Sequence, residues 1–222
     1  MNRTKITIVL FCVFGFSSRN YAQDHSLKPV MGVNSIVSNS KDTVPYFWDD
    51  LRITLDNGSS GTAIEYFSGT TGGPQIYYFR NNDGLEAMSF TVQLPHSWKE
   101  GSRIYPHIHW TPKTSMSGNV EWNFDYTWAN FNAEKAEVFP KIKTNTLLSV
   151  GPFVANTHNI TVLTKDNEGI DGTGKRVSSV LICRIWRYSK SVNDTYNADA
   201  GALFLDFHIQ IDGLGSREEY KK

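Results

Sequence analysis

Cysteine is scarce in this chain of 222 residues: Cys12 and Cys183 are the only two. With Cys12 in an apolar N-terminal segment, no disulfide framework can staple the remainder. Cys183 lies in Val180-Leu-Ile-Cys-Arg-Ile185, an apolar strand pattern, and reads as an inert core thiol. An excess of charge is also lacking, with 22 Lys+Arg against 22 Asp+Glu. Nothing in that balance suggests an electrostatic nucleic-acid binder, which would need a basic face. Helical periodicity is nearly missing; only Asn132–Val138 hints at a short helix. No nucleophile elbow, phosphate loop or zincin helix occurs, and Gly69-Thr-Thr-Gly-Gly73 reads as a turn. No reaction is therefore assigned, and a binding or structural protein is expected ahead of an enzyme. Paired carboxylates for glycoside hydrolysis stay open, because spatial pairing is invisible in a sequence.

The first residues have the layout of a targeting segment. Arg3 and Lys5 precede the apolar run Ile6–Phe16, and Tyr21-Ala-Gln23 places a small residue near a cut. The run is too short to span a bilayer as a helix. Phe11, directly before Cys12, is too large for lipoprotein processing. Residues 1–23 are thus expected to be a signal peptide, with the protein secreted or periplasmic. Removing them leaves 199 residues, with 19 basic against 22 acidic side chains. Residues 24–47 are polar and irregular and read as an arm. Residues 48–222 read as one domain.

That domain is written almost wholly in short strand patterns. Asp56-Asn-Gly58, Thr71-Gly-Gly-Pro74, Asn81-Asn-Asp-Gly84 and Asp171-Gly-Thr-Gly174 punctuate them. Many short strands with frequent turns predict an all-β fold, mostly antiparallel: a β-sandwich or jelly roll, with a closed barrel as the alternative. In Asn119–Trp128 the residues Val120, Trp122, Phe124, Tyr126 and Trp128 share one face. Strict alternation buries that face against a core. In Arg103–Trp110 the side with Ile104, Ile108 and Trp110 opposes the side with Tyr105, His107 and His109. Pro106 lacks a donor, which predicts an edge strand or a bulge.

His107 and His109, two residues apart on a strand, share one face. Asp206 and His208 repeat that spacing near the C-terminus. If the two middle strands form a hairpin through Thr111–Ser117, His107 faces Glu121 and Asp125 sits near Arg103. Imidazoles beside carboxylates suit a divalent ion such as Zn, Fe, Mn or Ni. The expected ligands are His107, His109, Glu121 and His208, with Asp206 and Asp125 as supporting partners. The bland alternative is a buried polar network with every imidazole hydrogen-bonded. His96 and His158 read as turn residues outside the site. Asp49, Asp50 and Arg52 read as a structural network, and Asn193–Asp199 as a plain polar loop.

Gly101, five residues, then His107-Ile-His109 resembles the opening of the cupin metal motif. No glutamate directly follows His109, and the glycine and proline pattern of the second cupin histidine is missing near His208. The resemblance implies a metalloprotein, in its strongest form an enzyme. A longer resemblance runs through Trp48-Asp-Asp-Leu-Arg52, Leu94-Pro-His-Ser-Trp-Lys-Glu-Gly101, Pro106–Trp110, Trp122–Trp128 and Asp206–Tyr220. These motifs are similar to a little-characterised family of phage and prophage virion- or tail-associated proteins. That implies a structural or surface-binding protein whose partners are an assembly protein, a further copy of itself or a cell-surface glycan. It also implies a virion location if the leader is kept.

Overall fold

The computed structural model describes residues 47–55, 62–82, 84–131 and 137–219. The leader 1–23, the arm as far as 46 and most of the predicted helix at 132–138 lie outside the described residues.

The described residues form a β-sandwich of two antiparallel sheets. The strands are β1 (Phe47–Ile53), β2 (Ala63–Tyr66), β3 (Gln75–Phe79), β4 (Leu85–Gln93), β5 (Ile104–Pro112), β6 (Asn119–Ala129), β7 (Lys143–Val150), β8 (Asn159–Val162), β9 (Val180–Tyr188) and β10 (Ala200–Ile211). The first sheet runs β2-β3-β10-β5-β8, with β1 also paired to β10; the second runs β4-β9-β6-β7. Among the described residues no helix is long and apolar enough to cross a membrane.

Alternation explains how the sheets meet. Each strand turns its apolar residues inward, and the two inner faces interlock. Trp110 of β5 meets Trp122 of β6 edge to face, with ring centroids 5.8 Å apart. Phe79 of β3 reaches the same Trp122 at 5.2 Å, and Phe124 of β6 reaches Phe207 of β10 at 6.3 Å. Arg187 occupies a core-facing position on β9 and is fully buried. Asp194 and the carbonyls of Phe79, Tyr196 and Ala198 accept its hydrogen bonds. A buried charge is tolerable only with such complete pairing.

The β5–β6 hairpin expected from sequence does not form. Residues 113–118 carry the chain across the core instead, from the first sheet to the second. Gly118 permits that crossing: its φ is +127°, and a Cβ there would lie 2.5 Å from the Thr195 carbonyl oxygen. Both strands do present apolar faces to one core, but from opposite sides of it. Nor is β5 an edge strand, since it lies between β10 and β8. Pro106 falls just past Val162, the last β8 residue paired with β5, and its carbonyl accepts from the Leu163 N–H there at 2.9 Å.

Candidate functional site

The candidate site lies on the outer face of the first sheet, where β1, β10 and β5 run side by side. Register sets its rows. Asp50 pairs with His208 and Arg52 with Asp206 across β1 and β10. His208 pairs with Tyr105, Asp206 with His107, and Phe204 with His109 across β10 and β5. A bulge between Ala202 and Phe204 keeps Phe204 opposite His109. Residues two apart on each strand therefore project the same way, and four strand positions bring three imidazoles around one carboxylate.

Asp206 is the centre of this group. Its Oδ2 lies 3.0 Å from His109 Nε2 and 3.7 Å from His208 Nε2, and its Oδ1 lies 3.4 Å from His107 Nδ1. The 3.0 Å contact is a hydrogen bond; the 3.4 Å contact is longer than a well-formed one. Oδ1 and His107 Nδ1 are thus buried with no hydrogen-bond partner among the described residues. Burial alone would raise the Asp206 carboxyl. The long hydrogen-bonding contact with His107, and the charge that His109, His208 and His107 carry when protonated, outweigh it and hold the carboxyl below its ordinary range. Burial pushes His109 the other way, below the ordinary imidazole value, although Asp206 opposes it. A neutral His109 donates from Nε2 to Asp206, so its Nδ1 accepts from His158 Nε2 at 2.8 Å. That tautomer is assigned from the network.

The rim is aromatic and polar. Trp48 and Tyr105 stand edge to face, with centroids 5.5 Å apart. With His107, His208 and Asn167 they line an open groove of about 540 Å³. Trp48 is 55% exposed, a large apolar surface left in water. Asp50 Oδ1 lies 3.1 Å from His208 Nε2 at the same rim.

Of the residues expected from sequence, His107, His109, Asp206 and His208 come together. Asp206, expected to support the ligands from behind, sits at their centre. Glu121 and Asp125 lie on β6, on the outer face of the other sheet, and correct the expectation that they join the histidines. The missing hairpin is the cause, and each acid has partners of its own. Glu121 accepts from Ser191 and Asn193, at 3.0 and 2.9 Å. Asp125 pairs with Arg184 and accepts from Thr144 and Trp186. In the loop at 193–199, Asp194 is bound to Arg187. His96 bonds Ser178 and Ser216, outside the cluster. Two contributors to the cluster were missed, Asp50, expected in a structural network, and His158, expected in a turn; the groove residues Trp48, Tyr105 and Asn167 were not singled out either. The signal for Asp50 was its alternation with Trp48 and Arg52 on a strand ending in Ile53. No local signal marked His158.

No protein-family model and no curated protein matches the chain. Among solved structures it is similar to TmCBM61 in complex with β-1,4-galactotriose, at 12% identity and TM-score 0.32, over 74% of this chain and 87% of that one. It is similar to a chain of the infectious bursal disease virus Gt strain, at 13% identity and TM-score 0.33, over 73% of this chain and 33% of that one. The chain thus spans about a third of that viral protein. It is also similar to CBM28, a non-crystalline cellulose specific carbohydrate-binding module, at 10% identity and TM-score 0.27, over 74% and 86% of the two chains. At such values these likenesses carry no argument about function. The two-sheet architecture stands on the strand pairing itself.

Proposed function

We propose that the protein is a surface-binding β-sandwich that takes a saccharide in the groove between Trp48, Tyr105 and His208. One observation carries this reading: the half-exposed Trp48 ring stands beside Tyr105 over a groove whose other walls are polar. A sugar ring has an apolar C–H face and a rim of hydroxyls. The first packs on an aromatic plane and the second needs donors and acceptors within reach. His208, Asn167 and Asp50 supply them. A glycan array followed by calorimetry tests the reading. Binding of a defined saccharide, weakened at least about tenfold by Trp48→Ala, supports it. An array with no binder, or a binder indifferent to Trp48→Ala, contradicts it.

A second reading, an assembly component of a particle, has its own observation. Strand β7 edges the second sheet and β8 edges the first. Leu148, Val150 and Ile160 on these strands are all exposed, as is Ile142 just before β7. Exposed apolar edges invite association with a further copy. Light scattering across a concentration series tests it, with Val150→Lys expected to abolish any oligomer.

A further inference from the structure

We propose that His107, Asp206 and His208 form a binding site for one divalent metal ion of the zinc class at the floor of the groove. One ligating atom from each of the three lies within 4.8 Å of the other two. Two imidazoles and a carboxylate are the donor set that Zn²⁺ and its neighbours favour.

The His107–Asp206 spacing is one that a shared metal ion would impose. Two ligands about 2.0–2.1 Å from a tetrahedral ion stand roughly 3.3–3.4 Å from each other. His107 Nδ1 and Asp206 Oδ1 are 3.4 Å apart, which matches; His208 Nε2 stands a little farther off, 3.7 Å from the other oxygen, Oδ2. The first pair is independent support. Asp206 is 3% exposed and His107 is 6% exposed, and among the described residues neither atom has a well-formed hydrogen bond. Buried polar atoms are almost always satisfied, so two orphans facing one another need an explanation. An ion between them satisfies both.

The surroundings fit this role. His109 donates to Asp206 and fixes the carboxylate, as a supporting partner does in metal sites. His208 Nε2 exchanges its contact with Asp50 for the ion, which leaves the Asp50 carboxylate beside the site. His107 and His208 both line the groove, so an ion held by them would border it.

The test uses the whole chain without a polyhistidine tag, stripped with EDTA and titrated with ZnCl₂ by calorimetry. Metal content after desalting is read by mass spectrometry. One zinc per chain is expected. His208→Ala removes a partly exposed side chain and leaves the core intact. It should weaken binding by more than the roughly 10–100-fold that losing a supporting partner costs a metal site. Asp206→Asn should do the same, and His96→Ala should do nothing. Wild-type protein that retains no zinc overturns the proposal, as does zinc binding that survives His208→Ala unchanged. Trp48→Ala keeps the zinc whatever it does to saccharide, so the two readings fail separately.

Discussion

His109 donates a hydrogen bond to the buried Asp206 carboxylate at 3.0 Å, joining strands β5 and β10 on the outer face of the first sheet. The His109 ring also stacks on Phe204 at 4.1 Å, and the Arg52 guanidinium lies 4.2 Å from that phenyl centroid. Removing His109 withdraws the donor from a carboxylate that water does not reach. His109→Ala should therefore lower the unfolding free energy by about 1–3 kcal/mol. Urea unfolding of metal-free protein checks this. An unchanged midpoint would show that Asp206 finds another donor.

Arg187 and Asp194 form a buried ion pair. Two of its bonds, at 2.8 and 2.7 Å, join the pair side by side. Breaking a buried pair from one side leaves a stranded charge. Arg187→Ala and Asp194→Ala should each cost about 3–5 kcal/mol. Arg187→Lys should rescue little, because an ammonium cannot reproduce the planar fork. The double variant should cost less than the sum of the two, and denaturant curves for the set measure that coupling.

Cys183 is buried, and burial pushes its thiol well above the ordinary range. It should ignore Ellman's reagent in native protein and react once urea unfolds the chain. The unfolded chain should then titrate two thiols if residues 1–23 are present and one if they have been removed. This count tests the signal-peptide expectation as well.

Glu137 accepts from Lys175 Nζ and from the Asn130 N–H, and the Lys175 contact above all holds its carboxyl below the ordinary value. A carboxyl depressed in the folded state stabilises at pH above its unfolded value. That contribution disappears as pH falls through the folded value. Wild type should therefore melt above Glu137→Gln at pH 6, with the gap closing toward pH 3. The gap should be small, since the pair is partly solvated. A gap that widens in acid would reverse the assigned sign.

Strand content and facing were legible because a period of two is written into Asn119–Trp128 and Arg103–Trp110. Pairing was not. Trp110 and Trp122 could share a core as neighbours in one sheet or as opponents across two, and alternation is the same in both cases. The hairpin therefore wrongly brought Glu121 and Asp125 to the histidines, while the real carboxylate came from 99 positions beyond His107. The i, i+2 spacing of Asp206 and His208 was correct, but only the β5–β10 register places it opposite His107. His158 enters from a loop, where no periodicity marks a side chain.

The groove beside Trp48 is most directly tested by the indole N–H signals of the six tryptophans in a ¹⁵N-labelled sample, with Trp48 assigned through Trp48→Phe. Adding a saccharide that the protein binds should shift the Trp48 signal and leave those of the buried Trp98, Trp110 and Trp122 in place. A bound saccharide that leaves Trp48 unmoved, or that chiefly shifts Trp186 on the other sheet, would contradict the account.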